Sequence, residues 1–256
     1  MIEGTSRVVA SEPAECARRA VSADFPDWRF APNIGEHPDR YELENAALDR
    51  AGHVLVAMRE IAPWAGRTIV DLGCGTGYWL GRYAAEAAKV VGVEPDPALR
   101  ATARASATAL PGAEVLAGSA EHIPLRDDCA DVVHARFAYF FPPGTDAGLT
   151  EVLRVLRPGG FLVAVDNDYR WGDFATLLAA SATKPPLDTA AAVDAWWRDR
   201  GATRCEVRSR LDFATRADLS AVLHIEFPAK VARGWLRRHP AATGLNYGYV
   251  LFVVQA

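Results

Sequence analysis

Residues Ile69-Val70-Asp71-Leu72-Gly73-Cys74-Gly75-Thr76-Gly77-Tyr78-Trp79 run an apolar stretch directly into three glycines at alternate positions, with a helical pattern after them. Glycine tolerates positive φ and lets backbone N–H groups come close to a ligand at the positive end of the following helix. A strand-to-helix junction of this kind predicts an adenosine-type or phosphate ligand beyond the carboxyl end of the strand. The spacing is G-x-G-x-G. It is neither the G-x-G-x-x-G of dinucleotide folds nor the GxxxxGK[ST] of the P-loop, and no lysine stands nearby to meet a phosphate, so both of those readings drop.

The pattern around the junction alternates. Thr68–Leu72, Val90–Glu94, Glu114–Ala117, Ala130–His134 and Phe161–Asp166 read as buried strands. Tyr78–Ala88, Pro97–Ala109 and Thr145–Leu156 read as helices, the second opening on a proline in its first turn. Strand, helix, strand at this rhythm means crossover units and a parallel sheet covered on both faces. Upstream, Leu48, Val54, Leu55, Met58 and Ile61 recur at helical spacing and predict one helix over Glu44–Ile61, stopped by Pro63. Residues 1–27 mix small, acidic and proline residues without a period and read as a mobile tail that becomes anchored near Trp28. After Asp166 come helical stretches at Phe174–Ser181, Thr189–Arg200, Arg216–Glu226 and Ala229–Arg238, with a strand at Arg204–Asp212. The run Tyr247–Val254 is too apolar for an exposed edge, which predicts insertion within the sheet, antiparallel to its neighbours.

Composition bounds the function. The chain has 256 residues, half of them hydrophobic and 23% charged, with a formal charge of −4, as expected for one large globular domain, with or without a small appendage. An acidic balance supplies no global attraction to a phosphate backbone, so no nucleic-acid partner is expected, and Arg237-Arg238-His239 reads as a solvated helix end. Cys16, Cys74, Cys129 and Cys205 lack CxxC spacing, so no metal site is expected. No stretch has the length of apolar residues a membrane helix needs and no apolar signal region opens the chain; a cytoplasmic protein is expected.

A second element reinforces the glycine junction. Val90-Val91-Gly92-Val93-Glu94-Pro95 is an apolar strand ending in an acid 17 residues after Gly77, and a carboxylate there can accept both hydroxyls of a ribose. At this point the sequence resembles the class I S-adenosylmethionine-dependent methyltransferases over about residues 40–170. The glycine loop, Glu94, the loop Gly118-Ser119-Ala120-Glu121-His122-Ile123-Pro124-Leu125 and the segment Leu153-Arg154-Val155-Leu156-Arg157-Pro158-Gly159-Gly160 match that family's motifs in order. The resemblance implies an α/β, Rossmann-like fold with a seven-stranded, mostly parallel sheet, its last strand antiparallel, and helices on both faces. It implies S-adenosylmethionine as cofactor, touched by Asp71, Gly73, Cys74, Gly75 and Gly77, by Glu94 and Pro95, by Ser119, Ala120 and Glu121, and by Ala135. Tyr41 would fold over the methionine end or else serve as an aromatic staple in the N-terminal segment. One departure stands out: where many family members carry an Asp to accept the adenine amino group, this chain has Ser119.

Methyl transfer from a sulfonium is an in-line displacement, so the protein's task is alignment and exclusion of water, with a base needed only if the nucleophile must lose a proton. Phe141-Pro142-Pro143-Gly144 lacks the side-chain oxygen an adenine-amino methyltransferase would place after the fourth strand, which disfavours DNA-base methylation. The aromatic residues Phe137, Tyr139, Phe140 and Phe141 suit an organic substrate, and some of them will be core. Tyr139 and Asp168 are the candidate catalytic residues, ahead of Asp166, Asn167, His224 and Glu226. Leu219, Val222 and Leu223, then Val231 and Trp235, fit a small cap over the site and core packing equally well. The expected organisation is an N-terminal tail and lid segment over 1–43 and a methyltransferase domain over 44–256 with a helical insert at about 214–240. The expected acceptor is a small organic molecule. A non-catalytic cofactor-sensing or partner module, a protein or RNA methyltransferase, and a nucleotide-linked dehydrogenase are the alternatives. The sequence leaves oligomeric state open.

Overall fold

The computed structural model describes residues 25–181 and 186–256, with no side-chain description for 186–188. The expectation of a mobile tail therefore lies, up to residue 24, outside the described residues. The sheet has seven strands: β1 (Thr68–Leu72), β2 (Lys89–Glu94), β3 (Ala113–Ala117), β4 (Ala130–Arg136), β5 (Leu156–Trp171), β6 (Thr203–Asp212) and β7 (Gly244–Gln255), in the spatial order β3-β2-β1-β4-β5-β7-β6. Strands β1 to β5 pair in parallel, with Ile69 opposite Val90 on one side and Val132 on the other. Strand β7 lies between β5 and β6 and is antiparallel to both, the interior placement its apolar run requires.

Both faces of the sheet are buried, and the two-residue period of a strand sorts its side chains between two cores. Along β7, Leu245, Tyr247, Tyr249 and Leu251 enter one core with Trp64 and Tyr83, while Val250, Phe252 and Val254 enter the other with Trp197. The helices are α1 (Pro32–Glu36), α2 (Pro38–Ala47), α3 (His53–Ile61), α4 (Leu80–Ala84), α5 (Pro97–Ala107), α6 (Asp146–Val155), α7 (Gly172–Ser181), α8 (Pro186–Arg198), α9 (Arg216–Glu226) and α10 (Ala229–Arg238). None of the described helices is long and apolar enough to cross a membrane.

Three expectations need correction. The single helix over Glu44–Ile61 is two helices, α2 and α3, broken where Leu48 leaves to bridge Leu211 and where Asp49 and Gly52 take positive φ. Asp49 then accepts from the N–H groups of His53 at 3.0 Å and Val54 at 2.7 Å, so its carboxylate caps the new helix. Helix α2 also runs across the boundary expected at residues 43 and 44. The strand expected over Phe161–Asp166 is longer, β5 starting at Leu156, because Gly159 and Gly160 pair with Ala256. In the insert, Thr215 and Asp218 form a capping box at the start of α9, and Arg216 donates to the carbonyls of Leu236 and His239 at the end of α10.

Candidate functional site

A cavity of about 620 Å³ opens beyond the carboxyl ends of β1, β2, β4 and β5, where ligands sit in open α/β sheets. Gly73, Gly75 and Gly77 all take positive φ, at 71°, 57° and 83°. They turn the chain from β1 toward α4 and present Gly73, Cys74 and Gly75 to the cavity. Gly77 does not line it. A β-carbon at Gly77 would lie 3.0 Å from the Ala103 Cα, so this glycine lets the loop pack on α5. Gly92 likewise leaves room for the buried Cys74 thiol, since its β-carbon would come within 2.9 Å of Sγ.

Glu94 ends β2 at 5% exposure and points into the cavity. Its Oε2 accepts from the Gly75 N–H at 2.8 Å and its Oε1 from the Asp96 N–H at 2.9 Å, which locks the carboxyl beside the glycine loop with further lone pairs to offer. Burial pushes its pKa up to about 7, against the pull of those two N–H groups. Pro95 lines the same wall.

Past β3, Ser119, Ala120 and Glu121 form the next wall. Here the structure supplies what the sequence lacks. Asp27, on the N-terminal segment, takes the Ser119 hydroxyl at 2.8 Å on one carboxyl oxygen and the Glu121 N–H at 3.2 Å on the other. Its side chain is only 3% exposed and it lines the cavity. A carboxylate thus stands at the serine where an Asp was missing, brought there from 92 residues upstream.

The candidate catalytic residues are placed apart. Tyr139 lines the cavity, but its hydroxyl donates to Glu121 at 2.7 Å and accepts from the Gly148 N–H at 3.1 Å, joining the Ser119–Glu121 loop to α6. Asp168 is buried and does not line the cavity; its Oδ1 accepts from the Arg170 N–H at 2.9 Å, while its neighbour Asn167 faces the cavity. The alternation of β5 explains the exchange, because adjacent residues point to opposite faces. Asp71 and Ala135 are buried behind the lining, and Arg136 takes the cavity-facing position after Ala135. The Arg136 guanidinium stacks on Trp79 at 4.0 Å, and its charge opposes the rise that burial imposes on the Asp71 carboxyl. Asp71 Oδ2 and Arg136 Nε are buried without a hydrogen-bond partner among the described residues. His134 is a core residue, edge-on to Trp64, and burial lowers its pKa to about 3.

The far end of the cavity lies toward β5 and β7. Tyr41, Glu44, Phe137, Phe174, Glu226 and Tyr247 line it, and the Tyr247 hydroxyl donates to Asn167 at 2.5 Å. Phe140, expected in the aromatic wall, instead packs on Trp197 in the core, while Phe141 is exposed and lines the cavity. Asn33 of α1 donates to Glu226 at the end of α9 at 2.8 Å, so the N-terminal segment and the insert meet over this end. Asp27, Arg136 and Glu44 were missed as site residues. Arg136 alone had a local signal, its place at the tip of β4.

Comparison with known proteins agrees with this architecture. A family model described as a methyltransferase domain matches residues 69–160, the stretch from β1 to the start of β5. An uncharacterized methyltransferase of Mycobacterium bovis is 41% identical over 152 residues, covering 59% of this chain and 55% of that protein. A ubiquinone/menaquinone biosynthesis C-methyltransferase of Rubrivivax gelatinosus is 35% identical over 130 residues, covering 50% of this chain and 51% of its own length. The chain thus spans about half the length of the curated relatives it matches. The structure of a SAM-dependent methyltransferase from Aquifex aeolicus superposes with a TM-score of 0.55 at 18% identity, over 88% of this chain and 98% of that one, and shares the fold. Residues 69–160 thus match a methyltransferase domain, and the chain shares the ordered motifs and the strand order of the class I S-adenosylmethionine-dependent methyltransferases.

Proposed function

We propose that the protein is a methyltransferase that uses S-adenosylmethionine to methylate a small organic acceptor. The observation that carries this reading is that the glycine loop, Glu94 and the Ser119–Glu121 loop open into one cavity that continues past Arg136 to an aromatic end. The polar groups present suit the cofactor. Glu94 retains lone pairs for the ribose hydroxyls, Asp27 and the Ser119 hydroxyl would hold the adenine amino group, and the Ala120 N–H lies beside them. Arg136 would take the methionine carboxylate, with Asp71 behind it and Tyr41 closing over that end.

The bound cofactor supplies an activated methyl group on a sulfonium. The chain's own residues align and enclose: the loop at Gly73–Gly75 fixes the position beyond β1, and α1 and α9 close over the acceptor end through Asn33 and Glu226. Tyr139 acts here as a positioning residue, holding the adenine-side loop against α6. The aromatic end of the cavity and the charge of −4 both favour a small organic acceptor over a nucleic acid.

Calorimetric titration with S-adenosylhomocysteine tests the reading. Binding is expected, and Glu94→Ala should weaken it tenfold or more, in line with the roughly 1.5–3 kcal/mol of a charge-assisted hydrogen bond. No binding by the parent protein overturns the cofactor assignment, and unchanged affinity in the variant removes the ribose role. Label transfer from the methyl-labelled cofactor to candidate metabolites separates an enzyme from a cofactor-sensing module.

A further inference from the structure

The aromatic end of the cavity contains two carboxyl groups that the proposed cofactor site does not use. Glu44 projects from α2 and Glu226 from the last turn of α9; both line the cavity, and they lie within hydrogen-bonding reach of each other. Glu44 is 4% exposed, and its Oε2 is buried with no hydrogen-bond partner among the described residues. Glu226 accepts from Asn33 at 2.8 Å, and its remaining neighbour in reach is the Glu44 carboxyl, which can donate to it only while protonated. A buried and a half-buried carboxyl with one neutral donor between them form a costly arrangement. Among the described residues neither is in an ion pair, and no cation figures among the groups that shift either one; burial and their mutual proximity dominate both.

We propose that Glu44 and Glu226 bind a protonated amine carried by the methyl acceptor. This deepens the methyltransferase reading and rests on it. An ammonium entering here would offer donors to both carboxyls at once and neutralise a pair that the protein leaves without a counter-charge. The walls fit the same ligand. Tyr41, Phe174 and Tyr247 surround the position, with Phe174 and Tyr247 ring centres 4.3 Å apart and Phe137 stacked on Tyr247 at 6.3 Å. Aromatic faces attract a cation and also accommodate the apolar body attached to it.

Position assigns the amine to the acceptor rather than to the cofactor. Tyr247 belongs to β7 and Glu94 to β2, and the strand order sets these strands four spacings apart, about 19 Å. The tips of β1 and β4, where Asp71 and Arg136 stand, lie between them. Burial and the neighbouring Glu226 hold the Glu44 carboxyl well above the usual range, as expected for a pair whose cation is supplied by the ligand.

The test uses the full chain saturated with S-adenosylhomocysteine and titrated with phenethylamine and phenylbutylamine, each against its matching alcohol. At least one amine should bind tenfold or more tightly than its alcohol. Glu44→Gln and Glu226→Gln should each erase that preference while leaving S-adenosylhomocysteine affinity within about twofold. Should Glu44→Gln fail to fold, the less buried Glu226→Gln carries the test. Equal affinity for amine and alcohol, no binding of either amine, or a preference that survives both substitutions overturns the amine site. Loss of S-adenosylhomocysteine affinity in the folded variants also overturns it, by giving the pair to the cofactor's own amino group. A parent protein that fails to bind S-adenosylhomocysteine overturns the methyltransferase reading on which the amine site rests, a result distinct from all of these.

Discussion

Asp27 and Glu94 hold opposite ends of what would be the adenosine site, and they reach it by different routes. Glu94 is fixed by its own strand and by two backbone N–H groups within 19 residues of it. Asp27 depends on the N-terminal segment being folded down, and its contacts with Ser119 and Glu121 are what hold its carboxylate in place. Asp27→Ala is therefore expected to weaken S-adenosylhomocysteine binding by about tenfold and to reduce the preference for it over the inosine analogue, which lacks the amino group. An unchanged preference in calorimetry would dismiss Asp27 as an adenine contact. That Gly73, Gly75 and Glu94 share one cavity was legible in the sequence, because strand ends and the loop between them are local features; that Gly77 faces α5 instead was not. Asp27 and Glu44 were not legible as site residues, and Glu226, named as a candidate base, could not be tied to Glu44, because nothing local links a residue to a partner more than ninety positions away. Asp168 failed for a subtler reason: the end of β5 could be read, but not which of two adjacent residues faces the cavity.

Among the elements, the buried strands were the clearest in sequence, since short apolar runs bounded by turn residues fit a sheet covered on both faces. The helix over 44–61 was misread because the apolar spacing continues through the break. The break itself is made by Leu48 pairing with Leu211, a contact across 163 positions. The segment Arg157–Gly160 carries strong turn residues, and its recruitment into β5 comes from pairing with Ala256. The junction of β1 and α4 gives a prediction at this scale. Gly77→Ala places a side chain at a φ of 83°, at a cost of about 1–2 kcal/mol from the backbone alone. Crowding against Ala103 and Leu80 adds to this. Urea unfolding should show the loss; a change under about 0.5 kcal/mol, the scale of a neutral surface substitution, would mean that α5 yields freely.

For the whole molecule, burial of acids in the cavity makes stability fall as the solution becomes less acidic. Glu94 titrates near pH 7 in the folded chain, against an ordinary value of 4.5. Below pH 4.5 both folded and unfolded chains keep the proton. Above that the unfolded chain releases it first, so stability declines until the folded carboxyl ionises near 7, by about 3 kcal/mol. Asp166, pushed up to about 6 by burial, acts with the same sign. The loss of unfolding free energy between pH 5 and pH 8 should be smaller in Glu94→Gln than in the parent by about 2.5 kcal/mol. Equal losses would mean that Glu94 ionises in the folded protein as it does in the open chain.

The insertion of β7 between β5 and β6 also bears on how the chain comes to be folded during synthesis. After β1, strands β2 to β5 can each find a neighbour that has already emerged from the ribosome. Strand β6 cannot, because its only neighbour in the sheet is β7, which follows it in the chain. A nascent chain paused before Gly244 would expose the edge of β5 and leave β6 unpaired, so chaperone contacts are expected to concentrate in that interval.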